Sequence, residues 1–212
     1  IYLASPWAPF AVATACFAAS VALNLALRPR PGAARASPAT PSSAFEGMRF
    51  IFRRPVILGA ISLDLFSVLL GGVTALLPII VTELLHAGPE VLGVLRAAPA
   101  LGALLVGLVI SWRPIQRGGG SKLFVATAVF GLSTVALAVS HEAWLSALCL
   151  AIGGGADVVS VVIRQTLVQA DTPDAMRGRV AAVNMLFVGA SNELGEFESG
   201  VTAALFGLVP AI

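Results

Sequence analysis

The chain has 212 residues, of which 58% are hydrophobic and only 11% charged. A soluble domain carries about 25% charged residues, and 13 basic with 11 acidic side chains cannot coat so much apolar surface. Composition therefore excludes an ordinary soluble fold. The net charge of +2, with no solvated basic stripe, excludes a nucleic-acid binder. What remains is an integral membrane protein with the lipid bilayer as its solvent.

A bilayer core of about 30 Å needs roughly 20 apolar residues in a helix. Six segments qualify: about 3–27, 56–83, 90–112, 122–140, 143–168 and 178–206. Their unbroken apolar length argues for helices, because barrel strands alternate every second residue. The predicted fold class is an all-α polytopic membrane protein with about six spans. The first span carries no charge and opens with Ile1, so the chain reads as beginning inside a longer protein, without the basic n-region of a signal peptide.

The connection at 29–55 is the main boundary, with one helix before it (1–28) and five after it (56–212). Its first part is rich in Pro, Ala, Ser and Arg and reads as a flexible or extended linker. Residues 44–54 change character. Phe45, Met48 and Phe52 recur at helical spacing, opposed by Arg49 and Arg53, which predicts a short amphipathic helix on the membrane surface.

The remaining connections sort by charge. Loop 113–122 carries Arg113, Arg117 and Lys122, and loop 169–179 carries Arg177 and Arg179. With Arg28, Arg30, Arg35, Arg49, Arg53 and Arg54, eleven of the 13 basic residues fall on one side. The opposite turns, 84–89 and 141–142, carry neither Lys nor Arg. Such a bias sets orientation and predicts that the basic side is cytoplasmic in an inner, or plasma, membrane. Trp7, Trp112 and Trp144 lie at span ends and read as interfacial anchors.

Charges within spans are costly and should face a cavity or a partner. Asp64 lies about 12 Å into the second span and reads either as a protonatable, substrate-facing carboxylate or as a structural acid bonded to a neighbouring helix. Arg96, near the end of the third span, pairs with a carboxylate or an anionic substrate, or snorkels. Arg164, near the basic end of the fifth, reads as snorkelling. Asp157 and Arg164 share a face two turns apart and are consistent with lining a wet cleft, with Gly153, Gly154 and Gly155 above them for close helix contact. Bends or breaks are expected at Pro78, Pro99 and the glycine clusters.

The sixth span carries Asn184, Asn192, Glu193, Glu196 and Glu198. On an ideal helix Asn184, Ser191, Gly195 and Glu198 share a narrow sector, while Glu193 and Glu196 fall about 140° and 160° from Glu198. The three carboxylates therefore cannot all face one cavity. Together with Asp64, Arg96 and Asp157, these residues are the candidates for proton coupling or for a substrate cavity. Cys16 and Cys149 lie far apart in apolar stretches and give no disulfide framework and no metal spacing; nothing in the chain asks for a cofactor. His86 and His141 fall in turns, no HExxH is present, and Asp64 and Asp157 have no protease-like flanks, so a membrane-embedded enzyme is disfavoured.

Three stretches carry a resemblance: ISLDLFSVLLGGVTALLP at 61–78, GVLRAAPALGALLVG at 93–107 and TPDAMRGRVAAVNMLFVGASNELGEFESG at 172–200. They resemble the drug:proton antiporter branch of the major facilitator superfamily, the last most like exporters of the siderophore enterobactin. The resemblance implies two six-helix bundles joined by a cytoplasmic loop, with these spans matching helices six to eleven. The chain would then be the C-terminal half of such a transporter. The first helix would end the N-terminal bundle, the rest of which is a partner on the same polypeptide, and 56–212 would be an incomplete C-terminal bundle. It further implies proton-coupled export of a small-molecule substrate, a siderophore or a drug, by alternating access. Loop 111–122, SWRPIQRGGGSK, has the basic and glycine residues of the family's cytoplasmic motif but lacks its acid. The alternative is a truncated membrane half that does not itself transport, or a partner subunit.

Overall fold

The computed structural model describes residues 7–26, 41–69, 72–115 and 118–212. Arg28, Arg30, Arg35 and Arg117, named above in basic loops, lie outside the described residues, as does most of the linker. The chain divides into two units, Ile1–Pro38 and Ala39–Ile212.

The first unit contributes α1 (Ala8–Ala26), uniformly apolar along its length. Two of its polar side chains bond within the helix. Thr14 Oγ1 donates to the Phe10 carbonyl at 2.8 Å and Asn24 Nδ2 to the Ser20 carbonyl at 2.9 Å, as a helix in a solvent without hydrogen bonds requires.

The second unit contains α2 (Pro41–Arg53), α3 (Pro55–Leu69), a 3-10 turn at Val73–Leu76, α4 (Leu77–Ile79) and a π turn at Ile80–Leu84. There follow α5 (Pro89–Trp112), α6 (Gly119–Ala138), α7 (Ala143–Asp171), a second 3-10 turn at Asp174–Met176, α8 (Arg177–Phe206) and α9 (Leu208–Ala211). Among the described residues there is no strand. Local chemistry sets the ends. Pro89 stands at the first position of α5, where its missing N–H costs nothing. Gly118 takes φ +71° before α6, a left-handed conformation suited to glycine. Pro173 disfavours a helical Thr172 and ends α7.

Among the described residues, four stretches are long and apolar enough to cross a membrane: Pro55–Leu84, Pro89–Trp112, Gly119–Ala138 and Ala143–Asp171. Helix α8 has 30 residues, but its asparagines and glutamates lower its apolarity. Large apolar side chains such as Leu101, Leu104, Leu105, Phe124, Val125 and Leu132 cover the outer faces of α5 and α6. This surface suits hydrocarbon, not water. Trp112 and Trp144, at helix ends, are 84% and 67% exposed.

Helix α7 packs against both α5 and α6, while α8 packs against α2, α3 and the first 3-10 turn; α3 joins the two groups through α7. Small residues permit these contacts. A Cβ on Gly154 would come within 2.6 Å of the Pro99 Cα, and one on Gly153 within 2.9 Å of Ser133 Oγ. The expected bends at Pro99 and in the 153–155 glycines do not break their helices. Helices α5 and α7 run through them, because the bare Gly154 backbone accepts the backbone of Pro99.

The interruption falls in the second span at Gly72, within one of the glycine clusters expected to bend or break. Helix α3 is described to Leu69, Gly72 is non-helical, and Val73–Leu76 form a tighter turn. Beside it, a Cβ on Gly195 would meet the Val68 carbonyl oxygen at 2.7 Å, and one on Gly72 would meet the Gly195 backbone. Pro78 sits downstream near the start of α4, where a proline is tolerated.

Apolar clusters occupy both ends of the bundle. Leu76, Leu77, Ile80, Leu95, Leu137 and Cys149 pack at one end, and Ile51, Ile57, Ile61, Val168, Val180 and Val183 at the other. The second end is the basic one. Arg54 pairs with Asp171 at 3.5 Å, Arg177 with Asp174 at 2.8 Å, and Arg179 with Glu46. Helix α2 is amphipathic, but with a different inward face from the expected one. Gly47 and Ile51 are buried against α8 and Met48 is half-buried, while Phe45, Arg49, Phe52 and Arg53 share the exposed face. The expected opposition of Phe and Arg fails because Phe45 and Arg49 lie only about 40° apart on a helix, and the backbone contact of Gly47 with Arg179 sets which face turns inward.

Gly154→Val should overpack the α5–α7 contact and destabilise the fold by about 1–3 kcal/mol or more. Gly93, with open space around it, should accept Ala with little change. Thermal unfolding in detergent of the two variants, side by side, checks both.

Candidate functional site

Between the two apolar ends lies a polar layer. Asp64 on α3 and Arg164 on α7 are both buried, with Nη2 of Arg164 3.0 Å from Oδ2 of Asp64. Arg164 Nη1 also donates to Asn184 Oδ1 on α8 at 3.4 Å, so one guanidinium ties three helices. Its Nε has no hydrogen-bond partner among the described residues. The expectation that Arg164 snorkels is thus corrected. Helix α7 runs on to Asp171, which leaves Arg164 about 10 Å short of the helix end, and a buried carboxylate faces it across the helix contact. An unpaired guanidinium there would be costly, whereas the pair with its extra hydrogen bond is tolerable.

A cleft of about 240 Å³ opens beside the break in α3. Val68, Gly72, Val73 and Thr74 from the broken segment form one wall, with Pro99 from α5 and Phe130, Ser133 and Thr134 from α6. Helix α7 contributes Gly153, Gly154 and Asp157, and α8 contributes Asn192 and Glu196. Asn192 and Glu196 are four residues apart and therefore share one helix face. The α3 break brings them within reach, because Gly72 and Gly195 remove the side chains that would hold α3 and α8 apart. Ser191 Oγ donates to the Leu65 carbonyl at 2.9 Å and adds a polar tie at the same crossing.

Asp157 belongs to two spaces. It lines the cleft, and it also lines a void of about 10 Å³ with Asp64, Ser67, Thr127 and Ser160. Polar groups therefore run from Asn192 and Glu196 in the cleft, through Asp157, to the Asp64–Arg164–Asn184 cluster.

The other sequence candidates stand apart. Arg96 is exposed on α5 and does not line the cleft. Glu193 is exposed on α8, outside the cleft lining. Glu198 is exposed and accepts a bond from Thr202 Oγ1 at 2.9 Å, one turn along its own helix. Sequence reasoning missed the Asp64–Arg164 pair and the cleft hydroxyls of Thr74 and Thr134. The available signal was charge balance: each lies in a span, and opposite charges in spans seek one another. Among the described residues, no group of three or more His, Cys, Asp or Glu side chains is placed to hold a metal ion.

Replacing Arg164 by Met leaves Asp64 buried without its counter-charge. The expected loss is about 3–5 kcal/mol, read as a fall in melting temperature and in yield. In the double variant Asp64→Leu/Arg164→Met much of that loss should be recovered. A double-mutant cycle on detergent-solubilised protein measures the coupling; additive losses would mean that the pair carries none.

The model of the family described as transmembrane secretion effector matches residues 1–212. Among curated relatives, the enterobactin exporter EntS of Citrobacter koseri is 33% identical over 192 residues, covering 87% of this chain and 42% of the relative. The proteins of the same name from Shigella boydii serotype 18 and Escherichia coli O81 are each 28% identical over 186 residues, with the same coverage. The chain thus spans less than half the length of the curated relatives it matches. These relatives are exporters, not enzymes. No solved structure matches the chain.

Proposed function

The chain belongs to the transmembrane secretion effector family of the major facilitator superfamily, and from that premise we propose that it serves proton-coupled export of small organic molecules, siderophores or drugs, across the inner membrane. The observation that carries this reading is the cleft beside Gly72, which Asp157, Asn192 and Glu196 line among mostly apolar side chains. Asp157 is placed there, within a span, at an energetic cost that a purely structural helix contact does not need. Broken helices beside a binding cleft also suit transporters, whose substrates bind near the midplane between two bundles.

In this reading the cleft is one wall of the path, and the opposing wall is the N-terminal bundle. Asp157 and Glu196 are the groups that meet substrate or proton. Asp64, Arg164 and Asn184 hold α3, α7 and α8 in register behind them. The basic end faces the cytoplasm, as the positive-inside rule directs.

Two measurements test this. In inverted membrane vesicles containing the natural polypeptide that carries this chain, an imposed pH gradient should drive uphill movement of a fluorescent organic substrate or of enterobactin. A protonophore should abolish it. Asp157→Asn and Glu196→Gln should lose uphill movement yet retain downhill exchange; pH-independent uphill transport in both would overturn the coupling.

For orientation, single cysteines at Gly120 and Gly178, both exposed, should resist an impermeant thiol reagent added outside intact cells, in a background lacking Cys16 and Cys149. Ready labelling at both positions would reverse the assigned topology.

A further inference from the structure

We infer that the groove between α5 and α6 holds a phospholipid with an anionic headgroup, its acyl chain against α7 and its phosphate at Lys122. This face is turned away from the cleft, and the inference does not rest on the export reading. Helices α5 and α6 both pack on α7 but not closely on one another, which leaves a groove of about 630 Å³. Leu105 and Val106 of α5 and Val125 and Val129 of α6 form its walls, and Ile152 and Gly155 of α7 its floor. On an ideal helix these two α7 residues lie opposite Gly153, Gly154 and Asp157, which line the cleft. The lining extends along α7 from Leu148 to Val159, about 16 Å and thus close to the depth of one leaflet, half of the bilayer core. Leu105 and Val125 are more than 60% exposed, so the groove opens to hydrocarbon. Lipid fills such a groove in any bilayer; charge decides which lipid.

One end of the groove is charged. Lys122 lines it beside Ser121, where α6 begins, and no Asp or Glu lines it. Loop 113–122 carries Arg113, Arg117 and Lys122 and no acid. The acids described at this end of the bundle, Glu46, Asp171 and Asp174, are each already paired, with Arg179, Arg54 and Arg177. Lys122 and Arg113 are exposed and have no ion pair among the described residues. Lys122 also stands in the first turn of α6, where the helix dipole disfavours a cation. A phosphate beside it offsets both the unpaired charge and the dipole, and its own acyl chain covers the apolar walls. Basic pockets between spans bind anionic headgroups in this way. A zwitterionic headgroup brings a further cation to a place that already has unpaired ones. Snorkelling of Lys122 to the interface, by itself, leaves the groove indifferent to headgroup charge.

The test strips the purified natural polypeptide of lipid in detergent and counts rebound molecules by native mass spectrometry. The probes are dioleoyl phosphatidylglycerol, dioleoyl phosphatidylcholine and glycerol phosphate, which has the anion without the chains. The first phosphatidylglycerol should bind about fivefold more tightly than the first phosphatidylcholine, the effect of one basic side chain at an anionic surface. Glycerol phosphate should not compete. Lys122→Gln should remove the preference between the lipids. Val125→Trp, which fills the groove from an exposed position, should weaken both. Arg53→Gln, at the same end but on α2, should keep the preference. Lys122 and Val125 are exposed, so both variants should fold, which melting profiles check. Equal affinity for the two lipids, a preference that survives Lys122→Gln, or binding unchanged by Val125→Trp would overturn the inference. An equal loss in Arg53→Gln would also sink it, because that reports diffuse surface charge. Competition by glycerol phosphate would reduce the site to an anion site without a chain, and dimers abolished by Val125→Trp would put a second copy in the groove; either result discards the lipid.

Discussion

The fold depends on one charged contact buried among helices. Asp64 and Arg164 are removed from solvent together, and each makes the other tolerable. Neither ion repays its desolvation alone, so the contact does more to fix geometry than to supply stability. Because Arg164 also reaches Asn184, the same guanidinium sets the spacing of α3, α7 and α8. Apolar side chains on both sides of this layer would pack in several registers. The charge pair accepts only the register in which its atoms meet.

Glycine makes that register reachable. At the α5–α7 crossing, Gly154 receives the Pro99 backbone, and at the α3–α8 crossing Gly72 and Gly195 face one another. In lipid there is little hydrophobic gain from helix association, so close packing carries the contact. The second crossing has a further consequence. The non-helical Gly72 stands at this crossing, and the cleft opens beside it. Packing and cavity are thus produced by the same pair of glycines.

The cleft inherits its polarity from two helices. Helix α7 brings Asp157, held above the Arg164 pair by seven residues of continuous helix, and α8 brings Asn192 with Glu196. The apolar clusters at either end isolate this layer. At the basic end, Arg54–Asp171 and Glu46–Arg179 join the ends of α2, α3, α7 and α8. These pairs are partly exposed, so each is worth little by itself. Their importance is positional: they tie α2 to α8 and the α2–α3 junction to the end of α7.

Much of this was legible in the chain itself. Apolar length alone set the helical class and the approximate limits of the spans after 56, because backbone groups in hydrocarbon must bond within their own segment. Period 3.6 showed that the α8 glutamates cannot share one cavity, and the structure puts Glu196 in the cleft lining and Glu193 and Glu198 outside it. The partner of Arg164 and the inward face of α2 were not legible. Both depend on contacts between residues far apart in sequence: Asp64 with Arg164, and Gly47 with Arg179. Of the expected points of bending, Gly72 lies where the second span is interrupted, whereas α5 runs through Pro99, because local propensity is all a single segment reveals. Hydropathy and helical period are properties of one segment and can be read along the chain; the meeting of two helices is decided by shape and charge on both, which only the folded bundle brings together.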